Sequence, residues 1–139
     1  MKKVLFIFLI TIAIIGCKKT KFSPEGPTDI RVRNLQNEYT LQNVIVKTAG
    51  GRDTTGNIKN LGSIPPDTVS AYKRFAIAFA KAEISAEING DTFSTGAINS
   101  TYMNYMGQMK ITYEVYISNM ADKQLTIYQV IPEGDLDSL

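Results

Sequence analysis

The 139-residue chain has no histidine, no tryptophan and a single cysteine, Cys17. Without histidine there is no Ser-His-Asp or Cys-His arrangement, and no zinc or copper site built on imidazole or paired thiolates. One cysteine closes no disulfide within the chain, so the fold must hold by burial. The missing tryptophan takes away the largest ring for stacking on a sugar. No D-x-[DN]-x-[DN] run is present to cage calcium. Excess charge of one sign is also absent. The chain has 15 basic and 13 acidic residues, and two of the basic ones, Lys2 and Lys3, lie in the leader described next. That leaves 13 of each, with no clustered surplus of Lys and Arg to meet phosphates. No nucleic-acid partner, metal or cofactor is expected.

What is present begins with an address. Lys2 and Lys3 form a positive start, and an apolar run follows from Val4 to Ile15. The run is shorter than the roughly 20 residues of a membrane-spanning helix and has the proportions of a secretory signal. It stops at Gly16-Cys17, a small residue before the sole cysteine. Ile14-Ile15-Gly16-Cys17 resembles the lipobox of bacterial lipoproteins, with isoleucine in place of the usual leucine and small residue. The resemblance implies that Cys17 is lipidated on sulfur, that residues 1–16 are removed, and that Cys17 becomes the first residue of the mature protein. Lys18, Lys19 and Lys21 sit beside this anchor. Each either gains about 1 kcal/mol from anionic headgroups or simply keeps the tether soluble. Ser23-Pro24-Glu25-Gly26-Pro27 has little to bury, so residues 17–28 read as anchor and flexible tether.

The domain is expected over residues 29–132. Ile30-Arg31-Val32-Arg33-Asn34 alternates apolar with polar, and Leu41, Val44, Ile45 and Val46 mark a second strand rich in β-branched residues. A glycine-rich connection, a weak strand over 58–64 and a Pro65-Pro66-Asp67 turn follow. Residues 69–82 carry both helical spacing (Val69, Tyr72, Ala76, Phe79) and a period of two. The strand reading is preferred for 75–80 and 82–88, with a bulge or bend near Lys81. Asn89-Gly90-Asp91 is a hairpin turn. The clearest pattern is at the end: Met109, Ile111, Tyr113, Val115 and Ile117 alternate with polar residues, as do Leu125, Ile127 and Ile131. Folded about Ala121, this hairpin sets Ile117 opposite Leu125, Val115 opposite Ile127 and Ile111 opposite Ile131. Gln129 is the one misfit on the buried face. Residues 133–139 read as a short, frayed acidic tail. Seven or eight short strands with regular turns predict an all-β fold, an antiparallel two-sheet sandwich of immunoglobulin-like or transthyretin-like type.

The order of these parts resembles that of the small uncharacterised lipoproteins of Bacteroidetes. The likeness is carried by Cys17-Lys18-Lys19, Val32-Arg33-Asn34, Asn43-Val44-Ile45-Val46, the run from Leu61 to Tyr72, and Gly107 leading into Ile111-Thr112-Tyr113-Glu114-Val115. It implies a sandwich domain and brings no activity or functional residues. Surface lipoproteins of that group carry acidic residues just after the cysteine, whereas Lys18-Lys19-Thr20-Lys21 has none. The departure favours the periplasmic face of the outer membrane.

Candidate chemistry is thin. Ser70-Ala71-Tyr72-Lys73 has the S-x-x-K spacing of serine-lysine acyl transfer, which needs the two residues one helical turn apart. On a strand they point to opposite faces, and the S-D-N and K-T-G partners are missing. The 51–56 run has phosphate-loop spacing but no following lysine. Glu83 and Glu87 share a strand face and read as solvated. No catalytic residue is assigned. Tyr116 and Tyr128 differ, because the expected register puts both on the outer face, Tyr128 opposite Glu114 and diagonal to Tyr116. Two such rings either pack across the strands or form a platform for a protein or glycan. Tyr102, Met103, Tyr105 and Met106 form a second apolar group, more in keeping with a lid on the core. The resulting expectation is an outer-membrane-anchored, non-enzymatic binding or assembly module. A periplasmic hydrolase working through carboxylates or lysine is the other class.

Overall fold

A computed structural model describes residues 25–49 and 56–136; the leader, Cys17 and most of the 51–56 run lie outside them. Among the described residues eight strands follow one another: β1 (Thr28–Asn34), β2 (Leu41–Lys47), β3 (Ile58–Ile64), β4 (Lys73–Phe75), β5 (Glu83–Ile88), β6 (Asp91–Ser94), β7 (Met109–Asn119) and β8 (Gln124–Asp135). No helix occurs among the described residues. The all-β class therefore stands.

The architecture differs from the expected antiparallel two-sheet sandwich. All eight strands join one mixed sheet, in the order β3-β2-β5-β6-β8-β7-β1-β4. Two of its pairings are parallel, β1 with β7 and β6 with β8. The β6–β8 junction is a single pair, Ser94 with Gln124. At the far ends of the order, β3 and β4 approach each other: Lys73 Nζ donates to the Asn60 carbonyl at 2.5 Å, and Ala76 N to Gly56 O at 3.1 Å. The sheet is thereby nearly barrel-shaped. The sequence pattern could not separate these outcomes, because inward-outward alternation is the same in a sandwich and in a curled sheet.

Burial follows the alternation. In β1, Ile30 and Val32 are fully buried between half-exposed Asp29, Arg31 and Arg33. The inner ends of this strand are polar yet satisfied. Thr28 Oγ1 donates to Gly107 O at 2.6 Å, and Asn34 Nδ2 donates to the carbonyls of Tyr39 (2.8 Å), Ile64 (3.1 Å) and Pro65 (3.2 Å). Tyr113 is also fully buried, and its hydroxyl donates to the Phe79 carbonyl. Burial pushes that hydroxyl's pKa well up, so it stays a donor. Gly26 is a steric requirement: a Cβ there would sit 2.0 Å from Ala76 O. Order thus begins before the expected start at residue 29.

The ambiguous stretch is neither the helix nor the long strand. Only Lys73–Phe75 is strand; Ala76 and Ala80 are bends, and Phe79 forms an isolated bridge with Tyr105. Phe75, Ala78, Phe79 and Ala82 are all buried. Their spacing of three and four is an irregular segment folding its small and large apolar residues onto the core. Beyond it β5 begins at Glu83, as the second half of the reading required.

The terminal hairpin sets Ile117 opposite Leu125 and Val115 opposite Ile127, as expected. After that the register slips. Glu114 pairs with Gln129 rather than Tyr128, and Ile111 pairs with Pro132 rather than Ile131. Tyr128 is the extra residue of one bulge and Glu133 of a second, between the Ile111 and Lys110 pairings. The first bulge accounts for the misfit: past it Gln129 turns outward and Val130 packs against the core. The same device operates in β2, where Leu41 and Val44 are both inward across a register shift that places Asn43 at φ 47°. Because β8 runs to Asp135, the first three residues of the expected frayed tail are strand.

Candidate functional site

The two bulge residues of β8 are where side chains are re-aimed, and they lead to two different environments. Glu133 is turned onto the outer face of β7 and β1. Its carboxylate accepts from Arg31 NH2 at 2.7 Å, from Thr112 Oγ1 and from the Tyr72 hydroxyl. Arg31 Nε also donates to Thr112 Oγ1 at 2.9 Å, and its guanidinium lies 4.9 Å from the centre of the Tyr72 ring. Beside this cluster, Glu114 is 5% exposed and accepts from Gln129 Nε2 at 2.7 Å and Arg33 NH1 at 3.3 Å. Arg33 reaches Asp67 as well, at 3.1 Å. Burial alone would raise the Glu133 carboxyl; the donors from Thr112, Tyr72 and Arg31 outweigh it and hold the pKa down at about 2. A carboxylate held so low is a poor proton acceptor at neutral pH. The network ties β8, β7 and β1 together and offers no free base.

Tyr128 is turned to solvent and is 66% exposed. Its ring meets that of Tyr116 edge-on, with centroids 6.4 Å apart. The sequence thus paired the right two tyrosines although it misplaced Tyr128 in the register. Tyr116 is half-buried, so the pair combines a supported ring with an open one.

Tyr128 also borders a cleft of about 810 Å³ that no pattern in the sequence signals. One wall is β8 from Gln124 to Val130, including Leu125, Ile127 and Gln129. The other is formed by residues 80–82 together with Thr95, Ala97, Ile98, Asn99 and Met103. This far wall is firmly held. Thr95 Oγ1 donates to Ala82 O (3.0 Å) and accepts from Ile84 N (2.9 Å), and Thr95 N reaches Ile84 O at 2.9 Å. Further along, Met106 N donates to Ala78 O at 2.8 Å, and the Tyr105 ring stacks on Phe79 at 5.0 Å. The Tyr102–Met106 group therefore splits. Tyr105 and Met106 pin the connection to the core, Met103 faces the cleft, and Tyr102 is 95% exposed.

The cleft exists because the sheet has a gap. β6 ends at Ser94, while β8 continues; beyond Gln124 no described strand pairs with that flank of β8. Along it lie backbone groups, apolar and uncharged polar side chains and, among the described residues, a single charged one, Lys81, which makes no ion pair with any of them.

The S-x-x-K pair is pulled apart. Ser70 Oγ accepts from Val32 N at 3.1 Å, while Lys73 is held on Asn60 O across the β3–β4 approach. Glu83 pairs with Lys47 at 2.7 Å and Glu87 accepts from Asn43 at 3.1 Å, both as outward cross-strand contacts. Among the described residues no three Asp, Glu, Cys or His side chains converge as metal ligands.

No family model and no curated protein sequence matches this chain. Among solved structures it is similar to the NMR structure of a protein from Eubacterium rectale, with 15% identity and a TM-score of 0.49, over 78% of this chain and 95% of that one.

Proposed function

We propose that this protein is an exported lipoprotein, tethered to the outer membrane through lipid on Cys17, whose domain is a non-enzymatic binding or assembly module. The observation that carries the binding half is the open cleft beside β8, with Tyr128 on its border and Tyr116 supporting that ring. Aromatic side chains with one face supported and one free are favoured anchors for a partner. The anchoring half rests on the positive, apolar, Gly-Cys leader, and on its resemblance to bacterial lipoproteins such as those of Bacteroidetes. The basic residues after Cys17 favour the periplasmic face. No helix among the described residues is long and apolar enough to cross a membrane.

The test follows the full-length protein in its own cells. Wild type should fractionate with membranes and carry a lipid mass on Cys17, whereas Cys17→Ser should be unprocessed or soluble. A mature protein with an unmodified Cys17 would overturn the anchor. Cross-linking on intact membranes then checks the module: a partner captured by wild type should be lost from Tyr128→Ala while the variant stays folded and anchored.

A further inference from the structure

Resting on the reading of the cleft as a binding site, we infer that its occupant is an extended peptide strand carrying a carboxylate, added to the free flank of β8. Four observations converge. First, the flank is a vacant strand position. From Leu125 onward β8 has β7 on one side and no described strand on the other, so its outward N–H and C=O groups are a template for one more strand. Second, the cleft runs along this stretch from Gln124 to Val130, a length of about 20 Å at the usual strand rise, which suits a peptide of about six residues. The opposite wall, residues 80–82 and 95–103, contains no strand that could close the gap itself. Third, the lining is charge-asymmetric. Lys81 is exposed and makes no ion pair among the described residues, and no described Asp or Glu lines the cleft. A carboxylate on the incoming strand complements it; a basic peptide does not. Fourth, the alternation of Ile127 and Val130 on the inner side with Thr126 and Tyr128 on the outer side offers separate places for alternate side chains of the ligand.

A second copy of this chain is a poorer fit to the same flank. β8 carries two bulges, at Tyr128 and Glu133, and Pro132 between them has no N–H. Such features bend an edge and block flat edge-to-edge pairing with an equally bent strand. A flexible peptide can follow the bend.

The experiment uses the full-length protein in detergent micelles and a random nine-residue peptide library. The expected enrichment is of sequences that alternate apolar with polar residues and place Asp or Glu at one fixed position. Lys81→Gln should weaken the best binder about tenfold and erase the preference for an acid, and Lys81→Glu should reverse it toward Lys or Arg. Lys81 is exposed, so both variants should melt with wild type. N-methylation along that peptide should abolish binding at every second residue, the register of a strand bonded on one side. Enriched peptides without an acid, or a methylation profile without alternation, would overturn the inference. So would dimerisation through β8 in sedimentation, or binding of neutral oligosaccharides with no peptide enriched; the last leaves the cleft as a binding site. A cleft that takes neither probe, together with partner capture unaffected by Tyr128→Ala, would overturn the underlying reading as well.

Discussion

The two flanks of β8 behave differently although they belong to one strand. On the β7 side, pairing runs from Gln124 to Asp135, and polar groups above the ladder are saturated: Glu114, Thr112 and Glu133 each accept hydrogen bonds from neighbouring strands. On the β6 side the described residues make one pair, then a cleft whose lysine has no ion-pair partner among them and whose border carries an exposed tyrosine. A buried polar group left without a partner costs about 1–3 kcal/mol, so evolution of a stable fold completes such networks. Groups left incomplete at an open surface cost little and remain available to a partner. Stability and recognition divide along the strand: the bulge at Glu133 adds a carboxylate to a closed network, and the bulge at Tyr128 delivers a ring to an open one.

The comparison is most sharply tested in the core beneath the paired flank. Val115 is fully buried and faces Ile127, which is only partly buried beside the cleft. Val115→Ala should lower stability by about 2–4 kcal/mol, the usual range for a cavity in a packed core, and Ile127→Ala by about half as much. Urea unfolding would read both. Equal losses would mean that the cleft side is packed as tightly as the core and the two flanks are not distinct.

Glu133→Gln probes the closed network through pH. The folded carboxyl titrates at about 2, below its ordinary 4.5, so folding favours the ionised form. Its stabilising effect is fully present above about pH 4.5 and fades as pH falls toward 2. Because the side chain is 23% exposed, solvent screening reduces this to about 1 kcal/mol. The gap between wild type and variant in urea midpoint should therefore hold from neutral pH to about 5 and narrow in acid. A gap constant down to about pH 2 would show that the carboxylate does not act through its charge.

The smallest effect on stability is expected at Tyr128. Tyr128→Ala removes an exposed ring and one edge-on contact, worth about 1 kcal/mol or less, while weakening attachment to the partner. If it unfolds the domain as readily as Val115→Ala, the tyrosine is packing and the open flank loses its anchor.

Local sequence pattern was enough for the strand class, the inward residues of β1, β5 and β7, the Asn89-Gly90 turn and the first half of the terminal hairpin. These are local: alternation and turn chemistry act over a few residues, and each leaves its mark in the chain. It also singled out Tyr116 and Tyr128 as an outward pair, and flagged Gln129 as the place where the pattern broke. What that break meant was beyond local reasoning, since an extra residue in β8 is defined only by the partner strand that fails to match it. Strand order was likewise decided in three dimensions. The parallel pairing of β1 with β7 joins segments far apart in the chain, and no short-range pattern encodes which strand neighbours which. The cleft is the furthest from the sequence of all, because it arises where β6 stops and β8 continues. A gap between two strands belongs to neither of them, and only their packing creates it.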